Sequence, residues 1–151
     1  MKPIVKNGWK IYFHPLFFEQ WQDLIDRVKN LKQKLAPEKF ITHSNVKLLK
    51  ALNVGIKEKI PNDPLASYFA LKRPLQKYSR QKKMGLPARY RLFFRVFKLA
   101  NTIIILWLGF PRKEGDKKDC YSVFSKLVSQ GEFPEDMETF LETVDKLNQS
   151  Q

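Results

Sequence analysis

The sequence predicts an α+β fold with the element order β-α-α-β-β-β-α-α: a curved antiparallel sheet with helices packed on one side. Three observations carry this. Ala88 to Val96 alternates between two faces, with Tyr90, Leu92, Phe94 and Val96 on one and Arg89, Arg91, Phe93 and Arg95 on the other. Phe17 to Leu35 and Leu48 to Ile60 repeat apolar residues at three- and four-residue steps, the period of a helix. Thr102 to Gly109 is apolar nearly throughout and rich in β-branched residues, as a buried central strand is.

The elements follow in order. Gly8 to Phe13 reads as a first strand, with Trp9, Ile11 and Phe13 on one face. His14 ends or caps it, and Pro15 suits the first position of a helix. That helix turns Phe17, Trp21, Leu24, Ile25, Val28, Leu31 and Leu35 inward, and Pro37 closes it. Ser44 suits the N-cap of a second helix, with His43 in a solvent-facing loop before it. Gly55 weakens this helix by about 1 kcal/mol, and Pro61 stops it. The two form an αα-hairpin whose apolar stripes need a sheet. Lys77 to Lys82 is the next candidate strand, with Tyr78, Arg80 and Lys82 on one face. Met84 to Pro87 turns into the arginine strand, and Lys98 to Asn101 turns out of it. Short turns between consecutive strands predict antiparallel pairing. Pro111 to Lys118 is a charged loop. Asp119 caps a helix carrying Val123, Phe124, Leu127 and Val128, which Gly131 ends. A last helix begins at Pro134, with Met137, Phe140, Leu141, Val144 and Leu147 as its stripe. No repeat or linker interrupts the pattern, so residues 1–151 read as one domain.

Charge narrows the partners. The net charge is +13, which points to nucleic acid, an anionic membrane or an acidic protein. No Asp or Glu occurs from Pro64 to Lys113, a stretch with twelve Lys or Arg and the arginine strand at its centre. From Gly131 onward six acids oppose one Lys. Positive potential is thus concentrated on the segment expected to form the sheet, as a nucleic-acid face requires. Cys120 is the only cysteine, which excludes an intrachain disulfide or a cysteine cluster and suggests a reducing compartment. The N-terminus lacks an apolar signal stretch, and the longest apolar run, Ile103 to Phe110, is too short to span a bilayer as a helix. The expectation is a cytoplasmic protein without a membrane partner.

Chemistry must then come from cations and phenols. The two histidines, His14 and His43, fall in different junctions, which argues against a paired-imidazole site. No phosphate-binding glycine loop, metal-spaced cluster or nucleophile elbow occurs, and Asp116 and Asp119 are separated by two lysines. Arg80 and Lys82 share one strand face, and Arg91 and Arg95 share the next. Arg112, Lys113, Lys117 and Lys118 occupy the loop before Tyr121. Each alone is ordinary surface charge; together they can orient a ribose 2′-hydroxyl against its neighbouring phosphate and stabilise the added negative charge.

Three blocks resemble the YhaV-type toxins of the RelE superfamily: Asn7 to Phe17, Ala88 to Arg95, and Lys117 to Lys126 followed by Gly131 and Pro134. The resemblance spans nearly the whole chain and implies a RelE-like fold. It also implies an mRNA endoribonuclease, the toxin of a type II toxin–antitoxin pair, acting at the ribosome without metal or organic cofactor. Its implied catalytic set is Arg80, Lys82, Arg91 and Tyr121. Arg91 would bind the scissile phosphate, Arg80 and Lys82 would stabilise charge or move a proton, and Tyr121 would stack on a base or assist proton transfer. Arg89, Arg95, Arg112, Lys113, Lys117 and Lys118 would bind RNA. The implied partner is an AbrB/SpoVT-like antitoxin, with operator DNA reached through the complex. Two other readings use the same face: a non-catalytic RNA- or ribosome-binding module, and a weakened toxin acting as a corepressor with its antitoxin.

Overall fold

The computed structural model describes residues 2–110 and 119–149, the side chains of residues 144–149 excepted. The hairpin β1 (Ile4–Lys6) and β2 (Trp9–Phe13) leads into α1 (Pro15–Lys34), α2 (Pro37–Thr42) and α3 (Ser44–Val54). A π-helical turn, Gly55–Lys59, continues α3 into the short α4 (Ile60–Asn62). Then come β3 (Ser79–Gln81), β4 (Arg91–Phe97), β5 (Thr102–Gly109), α5 (Cys120–Ser129) and α6 (Met137–Gln149). The five strands form one sheet in the order β1-β2-β5-β4-β3.

The α+β class holds, and the sheet is mixed rather than wholly antiparallel. β3, β4 and β5 pair antiparallel in sequence, as their turns require. β2 instead runs parallel to β5, with Ile11 opposite Ile103. Its chain exits into α1 rather than into a hairpin, and returns only after the helices, which is the connection a parallel pair needs. The first strand also has a partner that was not anticipated: Asn7 and Gly8, both at positive φ, turn β1 back onto β2.

Helices cover both faces, not one. β5 explains why, since seven of its eight residues are buried. Ile103, Ile105 and Leu108 pack with Phe17, Leu48, Leu52 and Ile56 from the N-terminal helices. Ile104 and Leu106 pack with Phe93, Phe124, Phe133 and Phe140 on the opposite face. A bulge links the two patterns. Phe93 pairs with Trp107 but Phe94 pairs with Ile105, so Leu106 is an extra residue in β5. Leu106 and Trp107 consequently face the same core, and the shifted register sets Arg91 opposite Gly109. Beyond the last β2–β5 pair, the Gln20 amide replaces the lost strand: its Nε2 donates to the Leu108 carbonyl (2.9 Å) and its Oε1 accepts from the Leu108 N–H (2.8 Å).

The N-terminal helical region differs in detail from the expected hairpin. Pro37 opens α2 instead of merely closing α1. His43 replaces Ser44 as the N-cap of α3, its Nδ1 accepting from the Asn45 N–H at 3.1 Å, and it is half-buried rather than solvent-facing. The last helix starts at Met137, three residues later than expected, where Asp136 accepts from the Thr139 N–H at 2.8 Å. The expected Val144 and Leu147 contacts lie outside the described side chains.

Gly55 has a use that helix propensity does not reveal. A Cβ there would collide with the amide of Gln81, which is fully buried and donates from Nε2 to the Lys83 carbonyl at 3.3 Å. Propensity alone predicts that Gly55→Ala stabilises by about 1 kcal/mol. The packing predicts a loss of about 1–3 kcal/mol, recovered in part when Gln81→Ala is added. Urea unfolding of the two single variants and the double variant checks this; a stabilised Gly55→Ala protein rejects the packing argument.

Candidate functional site

The site is assembled on the second face of the sheet, where β3, β4 and the start of α5 meet. Asp119 caps α5 as the sequence predicts, accepting from the Ser122 N–H at 2.8 Å. The helix start lies against the end of β5, where a Cβ on Gly109 would stand 2.6 Å from that of Cys120. Only a residue without a side chain permits this approach. It brings Tyr121 edge-on to Phe93, with ring centroids 5.7 Å apart at 83°. Phe93 is itself stacked on Phe124 at 4.1 Å. The phenol is therefore carried by a packed aromatic column.

Two guanidiniums close on its oxygen. Arg80 projects from β3, directly opposite Phe93, and its Nε donates to the Tyr121 Oη at 3.0 Å. Arg91 projects from the first residue of β4, and its Nε donates to the same oxygen at 3.2 Å. Each is braced a second time through Nη1. Arg80 donates to the Tyr68 carbonyl at 3.1 Å and Arg91 to the Tyr90 carbonyl at 2.8 Å. Both are half-buried, and among the described residues neither has a carboxylate within salt-bridge distance; Lys77 with Glu135 is the one pair there. Two fixed, half-desolvated cations with no counter-charge among the described residues can hold an anion, and guanidinium forks match phosphate oxygens.

Three of the four expected catalytic residues, Arg80, Arg91 and Tyr121, thus meet at one atom. Lys82 does not share the strand face expected of it. β3 ends at Gln81, and Lys82 lies exposed just beyond, ahead of two residues at positive φ. Arg89 also leaves its expected face: β4 starts at Arg91, and Arg89 is exposed in the preceding turn at φ 72°. Arg95 lies on the Arg91 face but is otherwise engaged. Its guanidinium covers the Phe97 ring at 4.5 Å and Tyr78 at 5.5 Å, and donates to the Pro134 carbonyl at 3.0 Å. Arg112, Lys113, Lys117 and Lys118 lie outside the described residues. Tyr68, Phe93 and Gly109 support the cluster without having been singled out as site residues. An aromatic alternating with arginines was the available signal for Phe93; nothing comparable marked Tyr68.

Neither histidine nor cysteine joins the cluster. His14 is the N-cap of α1, with Nδ1 accepting from the Leu16 N–H and Nε2 donating to the Glu132 carbonyl, each at 3.1 Å. Burial pushes the Cys120 thiol up, against a smaller opposing pull from Arg91, so the thiolate is disfavoured. Among the described residues no three His, Cys, Asp or Glu side chains gather to hold a metal ion.

Comparison with known proteins supplies the class of protein. A family model described as a toxin with endonuclease activity, of a toxin–antitoxin system, matches residues 11–145. The class is therefore an endonuclease toxin whose partner is an antitoxin. The chain is 37% identical over 141 residues to the ribonuclease toxin YhaV of Escherichia coli (strain K12), covering 88% of this chain and 90% of that protein. It is 34% identical over 148 residues to toxin YhaV of Escherichia coli O6:H1 strain CFT073, covering 93% and 94%. The chain belongs to the YhaV toxin family. Among solved structures, a free-state mutant of E. coli RelE covers 86% of this chain and 98% of its own at 15% identity, with a TM-score of 0.46. The RelBE2 toxin–antitoxin complex of Mycobacterium tuberculosis matches 74% of this chain and 98% of that chain at 17% identity, with a TM-score of 0.41.

His14 gives the fold a definite pH response. Burial lowers its pKa from 6.5 to about 4, partly offset by the bond to Glu132. Between those values the unfolded chain holds the extra proton, so stability rises with pH through this window. The contribution is complete above about pH 6.5 and is lost as pH falls toward 4, up to about 3 kcal/mol. His14→Asn puts a capping oxygen in place of the ring Nδ1 acceptor, without the titration. Denaturation midpoints at pH 7 and 4.5 should therefore differ less in the variant than in the parent; an identical pH response in both removes His14 as the cause.

Proposed function

We propose that residues 1–151 act as a single toxin domain that cleaves mRNA by attack of the ribose 2′-hydroxyl on the adjoining phosphate. The observation that carries the proposal is the convergence of Arg80 Nε and Arg91 Nε on the Tyr121 hydroxyl, with no described carboxylate to neutralise them. The name of the E. coli relative, a ribonuclease, favours RNA as the substrate.

The chemistry follows from what such a site lacks and what RNA supplies. RNA carries its own nucleophile, so the protein needs to align the 2′ oxygen in line with the leaving 5′ oxygen. Arg91 binds the scissile phosphate, and Arg80 stabilises the charge that builds on its free oxygens. The 2′ oxygen bonds to phosphorus and loses its proton, while the bond to the 5′ oxygen breaks and that oxygen gains a proton. The products are a 2′,3′-cyclic phosphate and a 5′-hydroxyl. Tyr121 holds the two guanidiniums in register and assists proton transfer; Lys82, exposed at the rim, is a cation able to approach the leaving group. Arg89 and the loop cations 112, 113, 117 and 118 draw the RNA strand to the site.

We assign the ribosome-bound mRNA as substrate and an AbrB/SpoVT-like protein as antitoxin, with operator DNA bound through the complex and the toxin itself in the cytoplasm. An acidic antitoxin segment laid over the Arg80–Arg91 face would neutralise the two guanidiniums and block the phosphate position. Among the described residues no helix is long and apolar enough to cross a membrane.

Purified protein incubated with mRNA, with and without ribosomes, should yield fragments ending in 2′,3′-cyclic phosphate. Arg91→Ala should lower the cleavage rate about 100- to 1,000-fold, the loss expected for one donor to a developing anion. Its stability should change by less than about 1 kcal/mol, because the position is half-exposed. Unchanged cleavage by a folded Arg91→Ala protein rejects the assignment. Intact RNA under both conditions leaves the binding-module reading in its place.

A further inference from the structure

Two niches lie near the Arg80–Tyr121 contact, one lined by both residues and the other by Tyr68, whose carbonyl braces Arg80. The first, about 320 Å³, is lined by Ala70, Leu71, Lys72, Leu75, Arg80 and Tyr121. The second, about 340 Å³, is lined by Tyr68, Lys82, Lys83 and Met84. Both are at the small end of the ligand-pocket range, about 300–1,000 Å³. Arg80 joins them: its side chain lines the first, and its Nη1 donates to the carbonyl of Tyr68, which lines the second.

Their chemistry is that of nucleobase seats rather than of anion sites. The first has aliphatic walls from Leu71 and Leu75, the Tyr121 ring, and one exposed ammonium at Lys72. The second offers Tyr68, a residue 51% exposed to solvent, a methionine, and the ammonium groups of Lys82 and Lys83. An aromatic or aliphatic surface beside a cation accepts the face of any base while the cation meets the backbone. The Tyr68 ring tilts against the buried Phe69 ring, with centroids 4.6 Å apart, and still leaves about half of the residue open to solvent. Its backbone carbonyl braces Arg80, and that bond would survive with any side chain at position 68.

We propose that these niches seat the two nucleobases on either side of the scissile phosphate, one between Leu71 and Leu75 and the other stacked on Tyr68. The inference rests on the RNA-cleaving reading and deepens it: the chain from Tyr68 to Leu75 determines where RNA is cut. A single strand crossing Arg80 places its phosphate at the guanidiniums and turns its flanking bases outward into the niches. A duplex, whose bases face each other, is excluded.

The test separates this inference from the function it rests on. Binding is read by fluorescence anisotropy with mixed-sequence, fully 2′-O-methyl single-stranded oligonucleotides, which have no free 2′-hydroxyl and cannot be cut by this route. Tyr68→Ala should weaken binding about tenfold, the loss of one base stack, and Tyr68→Trp should restore it. On cleavable RNA, Leu71→Trp should redistribute the cut sites as it narrows the first niche, with the cut pattern mapped by end sequencing. Circular dichroism melts confirm that each variant is folded. Unchanged binding by Tyr68→Ala together with an unchanged cut pattern for Leu71→Trp overturns the proposal while leaving the nuclease standing. Oligonucleotide binding that depends on Tyr68, with native RNA left intact, supports the seats and overturns the cleavage reading instead.

Discussion

A strand with no polar face has to be covered twice, and that requirement at Thr102–Gly109 shapes the whole protein. The N-terminal helices cover one face with Phe17, Leu52 and Ile56. α5 and α6 cover the other with Phe124 and Phe140. Burial of this kind is the main favourable term in folding, so the two covers are obligatory rather than decorative. The consequence for function is positional. Because α5 must lie on Phe93 and Trp107, its first turn reaches the end of β5, and Tyr121 is delivered to the arginines of β3 and β4.

The same geometry accounts for the charge state of the cluster. Arg80 and Arg91 each spend two donors on fixed oxygens. Those bonds are made to a phenol and to carbonyls, which orient a guanidinium without neutralising it. A carboxylate in the same place would form a stable ion pair and close the site to phosphate. The absence of any acid from Pro64 to Lys113 keeps the local sequence from supplying one. Arg95 shows the alternative fate of an arginine on this face: covered by Phe97 and tied to Pro134, it holds the chain after α5 in place.

Much of this was legible in the residue pattern. The alternation around Phe93 identified the basic face, and the stripes in α1, α3 and α5 identified what covers the sheet. Asp119 and His14 were readable as caps because their short acceptors stand at the junctions. What escaped the sequence depends on contacts between distant segments. The parallel β2–β5 pair is a property of chain routing, and the Leu106 bulge is a property of how β5 pairs with β4. The limits of β3 and β4, which take Lys82 and Arg89 off the expected faces, follow from backbone at positive φ in Lys83, Met84 and Arg89. Those residues have side chains and give no glycine-like signal. Tyr68 was hidden for a related reason: it serves Arg80 through its carbonyl, an atom every residue has.

β3 shows how closely the hidden and the visible parts depend on each other. Three residues make a weak strand, yet this one must hold a charged side chain against Tyr121. Its two faces share the task. Gln81 is fully buried in the first core beneath Gly55, while Arg80, its neighbour, points to the opposite face. A one-residue slip would exchange them, placing a guanidinium under the π-helical turn and an amide beside the phenol. The buried amide thus sets the register that the exposed chemistry requires. It does so with an Oε1 that finds no hydrogen-bond partner among the described residues, an unfavourable burial that an apolar side chain would avoid. A leucine at position 81 would remove that penalty but also the Nε2 bond to the Lys83 carbonyl that fixes the turn beyond the strand. The polar residue is therefore explained by the loop it anchors, Lys82 to Met84, which lies at the edge of the site.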